Sequence, residues 1–214
     1  MTTTVLVDAN VFYSRTLRDW LALCYLEVDG WFEVMWTEDI MAEFIYHLRK
    51  RYPTASDRHI GGVRDQLVET FSTGRVAGYV IDADVPYPDI FDAHVHAAAV
   101  HARVDFLLTA DNDFEQLADQ LDDLLYEVHS PDSFFCLLDD SSPNAIKVVS
   151  QKQLDYWKAK REQFNLCTQL QQAGAPQFAE RVRGHLQACQ AGTQQPQRPR
   201  KTTIDMSWPF VKRA

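Results

Sequence analysis

Glycine is scarce, at 8 of 214 residues, and none of it gathers into the glycine-rich turn that cradles a phosphate ahead of a helix, which excludes a P-loop nucleotide hydrolase. The four cysteines (Cys24, Cys136, Cys167, Cys189) stand far apart, without metal-ligand spacing and without the density of a secreted disulfide framework. They are expected to be reduced thiols in a cytoplasmic protein. No apolar run approaches the roughly 18–20 residues of a membrane span. Asp8 interrupts the first apolar stretch and no basic residue precedes it, so neither a transmembrane helix nor a signal peptide is expected. Internal repeats are lacking as well.

Basic residues are short over most of the chain. Residues 1–150 hold 10 Lys+Arg against 26 Asp+Glu, whereas residues 151–214 hold 11 against 4. An acidic front can hold hard cations, and a basic back can meet phosphates or the protein's own acidic face. Hydrophobic residues make up 46% and charged residues 24%, the composition of a chain that builds a packed core.

Five apolar runs read as short strands: Thr4–Val7, Phe32–Trp36, Val76–Ile81, Val104–Thr109 and Leu125–Val128. Helical spacing lies between them, over 11–28, from Thr37 to Arg51, from Ser56 to about Phe71, over Ile90–Ala102, and from Phe114 to Asp119. Ser130-Pro131-Asp132 is a helix start, with a cap, a proline at the first helical position and an acid. Strands alternating with helices predict an α/β fold with a parallel sheet covered on both faces. Residues 1–142 are expected to form the core domain, 143–190 a helical extension broken at Gly174-Ala175-Pro176, and 191–214 a basic flexible tail carrying the apolar cluster Trp208-Pro209-Phe210.

Four acids fall where such a fold places chemistry: Asp8 ending strand 1, Glu43 on the helix after strand 2, Asp92 in the helix before Val104, and Asp111 past the strand that follows. Asp113 is a fifth. If strand 1 and Val104–Thr109 are parallel neighbours, Asp8 and Asp111 emerge side by side. Carboxylates so close repel unless a cation neutralises them, and all-oxygen ligation suits Mg²⁺ or Mn²⁺. Alternatives stay open for each: Asp8 as a helix cap, Glu43 as a surface acid, Asp89 rather than Asp92 at the helix start, and Asp113 rather than Asp111 as the nearer ligand. A haloacid-dehalogenase-type phosphatase needs a second Asp two residues after the first, where this chain has Asn10.

These residues resemble the PIN-domain ribonucleases. Val5-Leu6-Val7-Asp8-Ala9-Asn10-Val11 is similar to the opening strand and first metal-binding Asp, and Thr37 through Ala42-Glu43-Phe44 to the second acid. Asp92-Ala93-His94-Val95-His96-Ala97-Ala98-Ala99 resembles the stretch with the third. Leu107-Leu108-Thr109-Ala110-Asp111-Asn112-Asp113-Phe114 resembles the Thr-x-Asp-x-Asp-Phe motif with the fourth. Ser130-Pro131-Asp132-Ser133-Phe134-Phe135 is similar to the closing helix. The resemblance covers about residues 4–138. It implies a three-layer α/β/α fold with about five parallel strands, and a pocket of Asp8, Glu43, Asp92, Asp111 and Asp113 that holds Mg²⁺ or Mn²⁺ for RNA cleavage.

It further implies a VapC-type toxin of a bacterial toxin–antitoxin pair, often a homodimer, silenced by a cognate antitoxin. A non-catalytic RNA-binding or protein-interaction module is the alternative. Ala9 stands where many members carry Thr or Ser, which leaves Asn10 and Thr109, with His94, as polar supports of the ligands. Arg49-Lys50-Arg51 is a candidate RNA contact, although cations are expected at a helix C-terminus in any case.

Overall fold

A computed structural model describes residues 2–28, 30–120, 124–160 and 164–192. The tail from 193 onward, including Trp208-Pro209-Phe210, lies outside the described residues.

The sheet has four parallel strands: β1 (Thr3–Val7), β2 (Phe32–Met35), β3 (Phe106–Leu108) and β4 (Glu127–His129), in the order β2-β1-β3-β4. Val5, Leu6 and Val7 of β1 are all fully buried, so this central strand is covered on both faces, as an unbroken apolar run requires. β1 and β3 are direct neighbours, with Val7 opposite Leu108. The ladder continues past both ends: Asp8 N–H donates to Leu108 O at 3.0 Å and Thr109 N–H to His129 O at 3.1 Å. Asp8 and the Thr109–Asp113 segment therefore leave the sheet side by side, at the carboxyl ends of the strands.

The expected fifth strand over Val76–Ile81 does not form. Only a single parallel bridge joins Arg75 to Trp36, closed by Val76 N–H to Trp36 O at 2.8 Å. The chain then turns through Gly78 at φ +82°, and Val80 is 84% exposed, so strand propensity finds no partner edge. Gly74 permits the bridge itself, since a Cβ there would sit 1.8 Å from Val34 O.

Ten helices join the strands among the described residues: α1 (Ala9–Tyr13), α2 (Arg15–Glu27), α3 (Glu38–Arg51), α4 (Asp57–Thr70), α5 (Ala93–Ala102), α6 (Asp113–Gln120), α7 (Pro131–Ser141), α8 (Pro143–Lys160), α9 (Leu166–Gln172) and α10 (Pro176–Gly192). Hydroxyl caps fix several starts, with Ile40 N–H donating to Thr37 Oγ1 at 3.0 Å and Ser133 N–H to Ser130 Oγ at 3.2 Å. The helix expected over 11–28 is two, because Ser14 leaves helical geometry and caps α2. The extension, expected as two helices broken at Gly174-Ala175-Pro176, holds three: α8, α9 and α10.

Those last helices share the central core. Phe178 of α10 lies between Trp20 of α2 and Phe135 of α7, with ring centroids 5.0 Å away in each case. Asp132 fixes the start of α10 from a distance: its carboxylate accepts Phe178 N–H at 2.8 Å and Gln177 N–H at 3.1 Å. This acid was expected only to favour the first turn of its own helix. It also satisfies amide donors that a neighbouring helix N-terminus leaves unpaired. No helix among the described residues is long and apolar enough to cross a membrane.

Candidate metal centre

Asp8 leaves β1 and caps α1, and both of its oxygens are engaged. Oδ1 accepts Ala9 N–H at 2.6 Å; Oδ2 accepts Asn10 Nδ2 at 2.6 Å and the Thr109 hydroxyl at 2.7 Å. Cap and site residue are thus one and the same side chain. Only 4% exposed, Asp8 is pushed by burial from 3.8 up to about 6; the Thr109 hydroxyl opposes that rise and the Glu43 charge adds to it.

Asn10 and Thr109 tie the two strand ends together. Asn10 Nδ2 also donates to Thr109 Oγ1 at 3.0 Å, Ala110 N–H donates to Asn10 Oδ1 at 3.0 Å, and Asp111 N–H to Thr109 Oγ1 at 3.0 Å. With Ala at position 9, the hydroxyl that bonds Asp8 comes from Thr109, just past β3. The same hydroxyl sets the turn that carries Asp111.

Asp92 stands at the start of α5, after a 3-10 turn over Ile90–Asp92. Asp89 takes the capping role there, accepting Phe91 N–H at 2.9 Å, and Asp92 makes no side-chain cap bond. Its carboxylate is thereby left to the site. Asp113 N–H donates to Asp111 Oδ1 at 2.9 Å, which folds the segment so that both acids face Asp92. One carboxylate oxygen from each of Asp92, Asp111 and Asp113 lies within 4.8 Å of the others. Burial first, then the charges of Asp8, Asp111, Asp89 and Glu43, push Asp92 up to about 7.

Glu43, on α3, faces the group without joining the triad. Its Oε2 is 3.6 Å from His94 Nε2 and its Oε1 is 3.5 Å from His47 Nε2. The His94 imidazole holds the Glu43 carboxyl below its usual range despite partial burial. Burial pulls His94 down, but Glu43 outweighs it and leaves the imidazole raised. His47, one turn after Glu43, was not singled out from the sequence; an i,i+4 pairing with Glu43 was the available signal. His96 is a packing histidine, its Nδ1 2.8 Å from the Tyr126 hydroxyl.

The three candidate RNA-contact residues separate. Arg49 is spent on the fold, donating to Ala55 O at 2.6 Å and lying 3.9 Å from Asp57. Lys50 is exposed. Arg51 lies over the rings of Tyr13 and Tyr52, at 5.6 and 5.5 Å.

The donor set suits a hard divalent cation. It is all oxygen, anionic and converging, and the mutual repulsion that lifts Asp92 is what a cation would relieve. A sequence profile of the PIN domain matches residues 4–113, which takes in all five acids. No curated protein and no solved structure matches the chain.

Proposed function

The chain belongs to the PIN-domain family, and from that premise we propose that it is a Mg²⁺- or Mn²⁺-dependent endoribonuclease, the toxin of a bacterial toxin–antitoxin pair. PIN domains are typically nucleases, and the observation that carries the reading here is the Asp92–Asp111–Asp113 cluster, backed by Asp8 and Glu43. Asp92, Asp111 and Asp113 are the residues to hold the cation. A divalent ion supplies charge neutralisation for a phosphodiester and a lowered pKa for water.

The protein's own contribution is positioning. Thr109 and Asn10 lock Asp8 and present Asp111, which keeps the ligands from relaxing apart. Glu43, paired with His94 and His47, keeps a negative charge at the rim. The toxin assignment rests on the resemblance of five short motifs in order, and with it come RNA as substrate and a small antitoxin, with self-association, as partners. A non-catalytic module has no comparable use for this many uncompensated carboxylates.

The test is cleavage of an RNA pool. Cleavage should require added Mg²⁺ or Mn²⁺, stop in EDTA, and be lost in Asp8→Asn while the variant keeps its melting temperature. Cleavage that persists in EDTA or in Asp8→Asn would sink the proposal. Expression of the protein alone should arrest growth, and co-expression of the gene immediately upstream should relieve it; no arrest, or no relief, would remove the toxin–antitoxin part.

A further inference from the structure

A second concavity, a cleft of about 840 Å³, opens where the start of α2 meets the end of α3, α4 and the extension helices α8 and α9. That volume lies in the range of small-molecule sites. Its charge is opposite to that of the protein. Among the described residues that line it, Arg15, Arg18, Arg51 and Arg58 stand against a single carboxylate, Asp19, in a chain of net charge −9; Arg18 is buried and donates to Phe12 O at 2.6 Å, which leaves Arg15, Arg51 and Arg58 as the cations a ligand meets. Such a concentration of guanidinium groups calls for an anionic partner.

Two aromatic walls carry the arginines. On one side Trp157 stacks on Phe164, with centroids 4.5 Å apart and planes 12° apart, and the Arg15 guanidinium lies 5.0 Å from the Trp157 centroid. On the other, Arg51 lies over Tyr13 and Tyr52. Aromatic and guanidinium planes together are the surfaces on which nucleobases stack.

Behind the lining lie polar atoms with no hydrogen-bond partner. Asp19 is 4% exposed and Trp20 1%, yet Asp19 Oδ1 and Trp20 Nε1 have no hydrogen-bond partner, and neither has Gln66 Oε1. All three residues line the cleft. Each of these atoms is sealed off from the cleft, so the contacts open to a ligand are those of the walls and the guanidinium groups. Aromatic planes with the guanidinium groups of Arg15, Arg51 and Arg58 beside them are complementary to a base carrying a phosphate.

We propose that this cleft binds a nucleotide, either one residue of a single-stranded RNA or a free mononucleotide, through stacking on the Arg15–Trp157–Phe164 and Tyr13–Arg51–Tyr52 walls. The chain's own C-terminal stretch is a poor occupant by charge, since residues 193–214 carry five Lys+Arg and one Asp. The acidic centre is close in the sequence of contacts. Tyr13 is 5.8 Å from the His47 ring, and His47 pairs with Glu43. Binding here does not depend on the nuclease reading.

The experiment uses the full chain in EDTA, which removes cation-mediated binding at the carboxylates. Tryptophan fluorescence and calorimetry follow titration with AMP, GMP, CMP, UMP and an eight-nucleotide single-stranded RNA. At least one mononucleotide or the oligonucleotide should bind, and Arg58→Glu, an exposed charge reversal with no core contact to lose, should weaken it tenfold or more. Trp157→Leu should do the same with a near-unchanged circular dichroism spectrum. A mononucleotide that displaces the oligonucleotide identifies a strand residue as the ligand; one that binds without displacing it identifies the free nucleotide. Either supports the proposal. No binding by any probe, binding indifferent to Arg58→Glu, or displacement by inorganic phosphate at equal concentration overturns it. Failure of metal-dependent cleavage would leave this result untouched, because no step of the binding assay uses the carboxylates.

Discussion

α1 separates two polar concavities that handle charge in opposite ways. At its start, Asp8, Glu43, Asp92, Asp111 and Asp113 gather, with His94 and His47 paired to Glu43, and burial with mutual repulsion lifts Asp92 to about 7. Beyond its end, Asp19 is as buried as Asp8 and more so than Asp92, but there burial is the only force raising it, to about 6, while Arg18 and Arg15 pull it back. The first site lacks positive charge; the second has a surplus. In the readings proposed above, each is completed by a ligand of the opposite sign, a metal ion in one and a phosphate in the other.

The largest effect that would break this comparison is at the acidic end. Asp111→Asn should lower kcat by roughly 10²–10⁴-fold with KM little changed, as expected when an interaction made mainly in the transition state is lost. Nucleotide affinity in EDTA should stay at the wild-type value, and a parallel loss would mean that the two sites are one.

Next comes the buried acid of the cleft. Asp19 has a folded pKa of about 6 against an ordinary 3.8, so the unfolded chain releases its proton first and the burial of the charge opposes folding. That opposition is absent below pH 4, grows as pH rises, and is complete above pH 6. Asp19→Asn should therefore gain stability relative to the wild type by about 3 kcal/mol between pH 4 and pH 7. Urea unfolding at both pH values reads it, and an unchanged difference would place the Asp19 charge in solvent.

Thr109→Val removes the hydroxyl shared by Asp8 and Asp111. A drop in Mn²⁺ affinity of roughly 10–100-fold by calorimetry is expected, with recovery in Thr109→Ser. A merely structural threonine would lose stability without that rescue. The smallest effect separates two neighbouring arginines. Arg51→Ala should flatten the salt dependence of RNA binding by about one unit of slope, and Arg49→Ala should leave the slope alone and lower the melting temperature.

How much of this was legible in the sequence depended on the range of the interaction. The run Val5–Val7 ending in Asp8, and the pair Asp111 and Asp113 after Leu108, announce themselves locally, and parallel pairing of β1 with β3 is enough to bring them together. Asp89 and Asp92 could not be told apart from spacing, because the choice turned on which carboxylate reached Phe91 N–H. Val76–Ile81 has the composition of a strand but no free edge to join beyond the bridge at Trp36. The cleft was invisible: Arg15, Arg58 and Trp157 are far apart in the chain and each resembles an ordinary surface or packing residue. Asp132, read as the acid of its own first turn, in fact reaches α10, more than forty positions on.

The placement of Phe178 between Trp20 and Phe135 bears on the order in which the molecule is made. Every acid of the metal centre has been synthesised by residue 113, yet the ring that closes the core against α2 follows about 65 residues later, roughly 3–13 s at ordinary translation rates. For that interval the growing chain holds all its carboxylates without the packing that completes the fold. Translation thus completes the set of carboxylates before it supplies the ring that fills the core, and the extension is the last part of the described fold to be made.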